Sequence, residues 1–235
     1  MKKSHIATLI VFLVLIPLTL ILGSRLSGRA FYVTSTLVIV ELLIPFFLAF
    51  EGRRPQAREL VVLAVMCALA VAGRVAIPIP NFKAIFGIIM IAGIAFGPES
   101  GFLVGAISAL ASNFFYSQGP YTPWQMMAYG AGGMLAGFVF ARGRLPRKPV
   151  IMGIFGFLAV TFFVGPLLDT CSVFLVMSRI TLKGAMAFYI SGFPVNLRQA
   201  VATAIVLLVL GNPLLEKLDR IKTKYGILDD GGKEA

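Results

Sequence analysis

Polar and aromatic residues interrupt the apolar sequence at 117–125, which reads Ser-Gln-Gly-Pro-Tyr-Thr-Pro-Trp-Gln. Inside a bilayer the backbone has to satisfy its own hydrogen bonds, so a segment rich in proline and glycine belongs at an interface or over a cavity. Trp124 and Tyr121 suit the headgroup level, where an aromatic ring can be half buried and half hydrated. The segment is therefore either an interfacial loop with an aromatic anchor or a lid over a small-molecule pocket. Polar side chains available to such a pocket are Asn113, Tyr116, Gln118, Gln125 and Tyr129.

Charged side chains within apolar segments also indicate a site, because each costs a few kcal/mol at the bilayer centre. Arg74 lies near the outer end of its predicted helix, and so does Arg198 if Pro194 opens the last helix at its first turn. The two arginines either extend to the outer headgroups or line an outward-facing polar cavity. Polar residues expected at a similar depth on other helices are Asn81, Asn113, Tyr189, Asn196 and Gln199.

Asp169 and Arg198 are expected to lie close together, because one should cap the outer end of the seventh apolar segment and the other should begin the eighth. They would share one pocket wall, either as an ion pair or with Arg198 turned to an acidic group of a ligand. Glu41, near the middle of the second segment, either pairs with a buried arginine or is protonated.

The composition is that of an integral membrane protein. The 235 residues are 58% hydrophobic and 13% charged, with a mean hydropathy of +0.92. The net charge of +11 in so apolar a chain indicates orientation in a membrane rather than binding to nucleic acid. Cys67 and Cys171 have no metal-ligand spacing, so neither a metal site nor a structural disulfide is expected.

A helix needs about 20 mostly apolar residues to cross a bilayer, and eight apolar segments reach or approach that length. They are 6–22, 31–50, 59–77, 84–97, 101–116, 124–141, 150–168 and about 190–210. The short segment 84–97 must be flanked by protein or be partly re-entrant. We therefore predict an all-α membrane protein in which an N-terminal hairpin (1–50) and a cytoplasmic linker (51–58) precede a six-helix core (59–212). A basic cytoplasmic tail (213–235) follows.

The distribution of Lys and Arg predicts that both termini are cytoplasmic in the cell membrane. Fourteen basic residues fall in the connections and termini assigned to the inside, against five outside. The inside set is Lys2, Lys3, Arg53, Arg54, Arg58, Arg142, Arg144, Arg147, Lys148, Lys217, Arg220, Lys222, Lys224 and Lys233; the outside set is Arg25, Arg29, Lys83, Arg179 and Lys183. The loop 117–125, the loop 78–83 and the region 169–189 then lie outside.

Small residues form stripes on several predicted helices. Ala64, Ala68 and Ala72 recur every fourth residue, which lets another helix approach closely. This stripe is either an internal packing face or a docking face for a partner protein. Similar stripes at 101–109 and at 133–137 are assigned to packing inside the bundle.

The sequence lacks the signature motifs of several classes of protein function. The chain contains no G-x-x-x-x-G-K-[ST] phosphate loop, so it does not hydrolyse ATP by that route. It also lacks H-E-x-x-H, G-x-S-x-G and paired catalytic carboxylates, so we predict neither catalysis nor a cofactor. Transport would therefore need energy from partners or from a gradient.

The sequence resembles the substrate-binding S components of energy-coupling factor (ECF) vitamin transporters over about residues 57–212. The resemblance rests on Ala64-x-x-x-Ala68, on the short helix after the Pro-Ile-Pro loop, and on FGPESGFLVGAISALASNFFYSQGPYTPWQMMAYGAGGMLAG at 96–137. This last stretch looks like S components for cobalamin and other large vitamins. Residues 1–50 depart from the six-helix pattern of the family.

The resemblance implies a fold and a set of partners. Members bind a vitamin near the outer face, under the loops that join core helices 1–2, 3–4 and 5–6, which correspond here to 78–83, 117–125 and 169–193. They dock on a transmembrane coupling subunit through the alanine motif, matched here by Ala64 and Ala68, and two cytoplasmic ATPases drive transport. The ligand contacts expected on this basis are Asn81, Asn113, Tyr116, Gln118, Tyr121, Trp124, Gln125, Tyr129, Asp169, Tyr189, Asn196 and Arg198, with Ala64, Ala68 and Ala72 as the docking residues.

Two alternatives of other classes remain open. A small membrane enzyme would need acidic or histidine pairs near the inner interface, where Glu99 alone is available. A self-sufficient secondary transporter would need a titratable carboxylate at mid-membrane, for which Glu41 is the candidate.

The identity of the vitamin is also open, between a large corrinoid and a smaller anionic vitamin. Cobalamin, the first choice, would suit a wide mouth lined by aromatic rings, here Phe114, Phe115, Tyr116, Tyr121, Trp124, Tyr129, Tyr189 and Phe193. The outer arginines would instead suit an anionic vitamin such as pantothenate, biotin or folate; a riboflavin-like substrate is a further option.

Overall fold

The computed structural model describes residues 15, 18–19, 30–52, 56–141, 143–177 and 180–226, and within these ranges the regular structure is helical. The helices are α1 (Ala30–Gly52), α2 (Ala57–Val75), α3 (Ile85–Phe96), α4 (Pro98–Tyr116), α5 (Thr122–Phe140), α6 (Pro149–Ala159), a π-helical segment (Val160–Val164), α7 (Gly165–Val176) and α8 (Leu182–Tyr225). The π-helical segment joins α6 and α7 into one continuous helix.

The helices α1 to α5 match the apolar segments predicted from 31 to 141 closely. The first predicted segment, 6–22, lies outside the described residues apart from isolated positions. Two helices, Pro149–Val176 and Leu182–Tyr225, are long and apolar enough to cross a membrane by length and composition alone. The total of eight spans stays a prediction.

The outer ends of the last two helices differ from the sequence prediction. The helix predicted at 150–168 continues to Val176, and α8 begins at Leu182, so Pro194 lies inside the helix and does not open it. Thr181 caps this earlier start, since its side chain accepts a hydrogen bond from the Gly184 N–H at 3.2 Å. Membrane helices tolerate an internal proline because neighbouring groups take up the freed backbone positions. Most of the predicted outer loop at 169–189 is therefore helical, and Asp169 lies within α7.

The short helix α3 forms the centre of the bundle. Each of its residues from Ile85 to Phe96 is buried, and α2, α4, α5 and α8 surround it. A helix that is apolar on all sides needs such an environment. The prediction that this segment is flanked by protein is confirmed.

Glycine stripes hold α3, α4 and α5 at close range. A Cβ atom on Gly133 would stand 2.7 Å from the Gly101 carbonyl carbon, and one on Gly137 would stand 2.6 Å from the Pro98 Cα. A Cβ on Gly105 would similarly meet the backbone of Tyr129. These backbones approach as closely as glycine allows, which confirms that the stripes at 101–109 and 133–137 pack inside the bundle.

The helix α1 packs against α4, α5 and α7. Its Ile39 is buried with Trp124 and Cys171, and its Thr36 hydroxyl donates to the Pro120 carbonyl at 3.4 Å. The second helix of the predicted N-terminal hairpin is thus part of the bundle.

Glu41 on α1 takes neither an arginine nor a lysine as its partner among the described residues. Its Oε1 accepts a hydrogen bond from the Thr19 hydroxyl at 2.5 Å. Its Oε2 is buried with no hydrogen-bond partner in the same part of the chain.

The C-terminal end of α3 is capped by cations from two other elements. The Arg147 Nη2 donates to the Ile94 carbonyl at 3.1 Å, and the Lys222 Nζ donates to the Ala95 carbonyl at 2.6 Å. Arg147 also pairs with Asp219 at 3.2 Å. Positive charge at the end of a helix satisfies its free carbonyls and complements its dipole.

The predicted basic tail begins as a helix. Residues 213–225 continue α8 without interruption, and Leu215 and Leu218 are buried in the core.

Candidate functional site

Arg74, in the last turn of α2, is the centre of a polar network at the end of the bundle where α2 and α4 terminate. Its Nη1 donates to the Ser112 hydroxyl at 2.5 Å and to the Asn113 Oδ1 at 2.9 Å. Ser112 and Asn113 are 0% exposed. These buried neutral acceptors hold the guanidinium in a fixed direction, and among the described residues no carboxylate pairs with its charge.

Asn113 extends this network from α4 to α5. Its Nδ2 donates to the Thr122 hydroxyl at 3.1 Å and to the Gln125 Oε1 at 2.8 Å. The Asn113 amide thus accepts from one helix and donates to another, so it joins the outer ends of α2, α4 and α5 into one unit.

Aromatic rings enclose the guanidinium. The Arg74 Cζ lies 4.9 Å from the Tyr116 ring centroid and 5.6 Å from that of Tyr129, within the range of cation–π attraction. The Tyr116 hydroxyl donates to the Arg74 carbonyl at 3.0 Å, and the Tyr129 ring meets Phe86 edge-on at 4.5 Å. Tyr116 is 44% exposed, so this ring is accessible from outside the bundle.

The loop between α4 and α5 is ordered by its own side chains. The Gln118 Nε2 donates to the Leu110 carbonyl at 2.9 Å, and the Thr122 hydroxyl donates to the Gln118 Oε1 at 2.9 Å. The Tyr121 hydroxyl donates to the Ser117 carbonyl at 2.8 Å. These bonds hold Ser117 at a φ of 79°, which is unusual for a residue with a side chain.

A second loop, residues 76–84, approaches the network from the other side. The Gln199 Nε2 on α8 donates to the Lys83 carbonyl at 2.6 Å, and the Lys83 Nζ donates to the Ile77 carbonyl. The Lys83 ammonium lies 6.0 Å from the Tyr116 ring centroid. Asn81, at the tip of this loop, is exposed and has a φ of 57°.

Polar residues of α7 and α8 form a separate cluster. The Asn196 Nδ2 donates to the Asp169 Oδ2 at 2.7 Å, and the Thr170 and Tyr189 hydroxyls are hydrogen-bonded at 2.8 Å. Gly192 allows this approach, because a Cβ there would overlap the Asp169 carboxylate.

The ion pair predicted between Asp169 and Arg198 is not found among the described residues. Arg198 is exposed on α8, and its Nε donates to the Pro194 carbonyl at 3.3 Å. Because α8 begins before Pro194, Arg198 faces the surface of the bundle and Asn196 faces its interior. A contact of Arg198 with a ligand stays a prediction.

Trp124 is packed inside the bundle and is not an anchor at its surface. It is 8% exposed and lies against Phe174 with 5.4 Å between ring centroids. Its Nε1 is buried without a hydrogen-bond partner among the described residues.

Sequence reasoning missed two members of the network, Ser112 and Thr122, and did not connect Lys83 with it. Ser112 could have been found, since Ser-Asn at 112–113 is a polar pair inside an apolar helix. Thr122 could not be distinguished from an ordinary N-terminal helix residue. No group of three or more His, Cys, Asp or Glu gathers as a metal site in the described part of the chain.

The alanine stripe of α2 faces outward. Ala64, Ala68 and Ala72 are exposed, whereas Leu63 and Met66 on the other side of the helix are 2% exposed. An apolar groove of about 490 Å³ runs beside the stripe between α2 and α4, lined by Cys67, Ala68, Val71, Ala72, Val75, Ala111 and Phe115. Within the described residues, the stripe is not used for packing inside the bundle.

An all-helical bundle with a buried polar network at one end and a smooth outer helix face has the features of a membrane protein that binds a small molecule. The family model of the ECF-type riboflavin transporter S component matches residues 55–216. The chain therefore belongs to this family of transporter subunits, which are membrane proteins of vitamin uptake and not enzymes. No curated protein and no solved structure matches the chain.

Proposed function

We propose that the chain is the substrate-specificity subunit of an ECF-type importer and binds its vitamin at the network around Arg74. The observation that carries this proposal is the buried hydrogen-bond path from Arg74 through Asn113 to Gln125. It joins three helices beside an accessible tyrosine ring. Both adjoining loops, 76–84 and 117–121, are tied to this end of the bundle and would cover a ligand.

A flavin-like vitamin is the first choice of substrate. The family model that matches the chain is that of a riboflavin transporter S component, and a flat ring system suits a site that offers the exposed ring of Tyr116. Cobalamin, the vitamin expected from residues 96–137, is the alternative. It is much larger, and the compact packing of Arg74 between two tyrosine rings favours the smaller molecule.

The exposed stripe Ala64, Ala68 and Ala72 is the proposed docking face for a transmembrane coupling subunit. Two cytoplasmic ATPases would then supply the energy. The bias of Lys and Arg supports cytoplasmic termini, which would put the Arg74 network at the extracellular side and the caps formed by Arg147 and Lys222 at the cytoplasmic side.

Calorimetric titration of the isolated chain with a vitamin panel tests the proposal. The panel holds riboflavin, cobalamin, pantothenate, biotin and folate, and no nucleotide is added. We expect riboflavin to bind most tightly of the five, at a ratio of one molecule per chain. Binding of none would contradict the proposal.

A companion uptake assay distinguishes an ECF specificity subunit from a secondary transporter that uses Glu41. Cells expressing the chain with the coupling subunit and ATPases are compared with cells expressing the chain alone. We expect uptake only in the first. Equal uptake by the chain alone, lost in Glu41→Gln, would favour the secondary transporter.

A further inference from the structure

Two cations lie near one exposed ring at the outer end of the bundle. The Arg74 guanidinium and the Lys83 ammonium lie 4.9 and 6.0 Å from the Tyr116 ring centroid. They come from different elements, the last turn of α2 and the loop that follows it, and the Tyr116 ring lies near both. The Tyr116 hydroxyl also donates a hydrogen bond to the Arg74 carbonyl.

Neither cation has a carboxylate partner in the described part of the chain. The side-chain hydrogen bonds of Arg74 come from Nη1 and end on a hydroxyl and an amide oxygen. Lys83 donates to a backbone carbonyl. Asp169 on α7 accepts from Asn196, and the Arg147–Asp219 ion pair lies at the opposite end of the bundle.

Arg74 and Lys83 also have N–H donors that the hydrogen bonds described above do not use. A guanidinium has five N–H donors and an ammonium has three, and the bonds described above use only some of them. Charge held in a partly buried site without a counter-ion is costly, and neutral acceptors and ring faces reduce that cost only in part. A ligand that carries an anionic group would supply the missing charge and accept the remaining hydrogen bonds.

We infer that Arg74 and Lys83 form an anion subsite beside Tyr116, which recognises a phosphate or carboxylate on the transported vitamin. This inference rests on the proposed function and adds the substrate class: the preferred substrate is an anionic vitamin form, such as a phosphorylated flavin, and not the neutral one. A lipid phosphate is the other source of the same chemistry.

The test compares the affinities of riboflavin and riboflavin 5′-phosphate for the purified full chain in detergent without phospholipid. We expect the phosphorylated form to bind at least about tenfold more tightly, as charge-assisted contacts to a phosphate predict. Lys83→Gln should reduce this preference several-fold, with a larger loss of affinity for riboflavin 5′-phosphate than for riboflavin. Arg74→Gln should abolish the preference, but it also disturbs the network, so Lys83→Gln is the decisive variant.

Lys183→Gln is the matched control, because it removes a positive charge from an exposed position in the first turn of α8. It should leave the preference intact. Equal affinity of the two flavins for the wild-type chain, or an equal effect of Lys183→Gln and Lys83→Gln, would overturn the inference and leave the proposed function standing. Failure of both flavins to bind would overturn the inference and the choice of a flavin as substrate, and the vitamin panel would then decide the proposed function.

The lipid source is tested by repeating the titration in nanodiscs of phosphatidylcholine and of phosphatidylglycerol. Unchanged preference for the flavin phosphate supports a substrate subsite. Loss of the preference in both nanodiscs, with its return in detergent, would assign the two cations to lipid headgroups and overturn the inference.

Discussion

The alanine stripe of α2 and the glycine stripes of α4 and α5 have the same four-residue spacing but opposite environments. Gly101 and Gly133 are buried with their backbones in contact, whereas Ala64 and Ala68 are exposed. In the first case small residues let helices of one chain approach. In the second they face outward, although no helix among the described residues packs there.

The difference shows which stripe has an internal purpose. A helix face that only meets lipid tails gains nothing from being smooth, because larger side chains would make more dispersion contacts. On α2, Leu63 and Met66 are buried, and the alanines point outward beside the exposed Val61 and Val65. This arrangement is understandable if a second protein packs on the alanines.

Gly133→Leu should have the largest effect on stability. Its side chain would overlap the Gly101 backbone and meet the Ile89 Cγ2 at 2.8 Å, and backbone cannot yield as a flexible side chain can. We expect a loss on the order of 3 kcal/mol or a failure to fold. Thermal unfolding and the yield of monodisperse protein in detergent measure it, with Ala64→Leu as the exposed control. Equal behaviour of the two variants would remove the distinction between the stripes.

Ala68→Trp should leave the isolated chain intact but prevent assembly. The position is exposed, so stability should change by less than about 0.5 kcal/mol, whereas a large ring would hold a docking helix away. Copurification with the coupling subunit measures assembly, and vitamin affinity of the isolated chain should be unchanged. Ile154→Trp, at a 58% exposed position on α6, is the matched control. If the Ala68→Trp chain still assembles and transports normally, the stripe is not a docking face.

Ala68→Gly should have the smallest effect on assembly. It keeps the face smooth, so docking should persist, while stability falls by about 1 kcal/mol through the lower helix propensity of glycine. The same two measurements apply. Loss of assembly in this variant without loss of fold would mean that the partner recognises the methyl group and not the smoothness.

The sequence predicted the helices well where apolar runs were bounded by charged or turn residues, as at α2 and α5. It failed at α8, because Pro194 resembled a helix start, whereas the helix begins at Leu182 and its Gly192 packs against Asp169. It could not decide the use of the alanine stripe either, since exposure depends on which helices pack on the other side.

The site was predicted in part. Asn113, Tyr116, Gln125 and Tyr129 were selected by type and depth, and they do meet around Arg74. Trp124 was selected by the same reasoning but packs with Phe174 instead, because neighbouring residues on a helix point in different directions. Residue type and depth do not fix which side of a helix faces the site.

The most direct test of the account is the riboflavin affinity of the isolated wild-type chain and of Tyr116→Ala, followed by quenching of flavin fluorescence. Tyr116 is 44% exposed, so its truncation should leave the unfolding temperature without ligand nearly unchanged. We predict binding by the wild-type chain without nucleotide and an affinity lower by about tenfold or more in the variant, since the ring supplies stacking area and orders Arg74. Absence of riboflavin binding by the wild-type chain, or equal affinity of the two proteins, would contradict a flavin site at the Arg74 network.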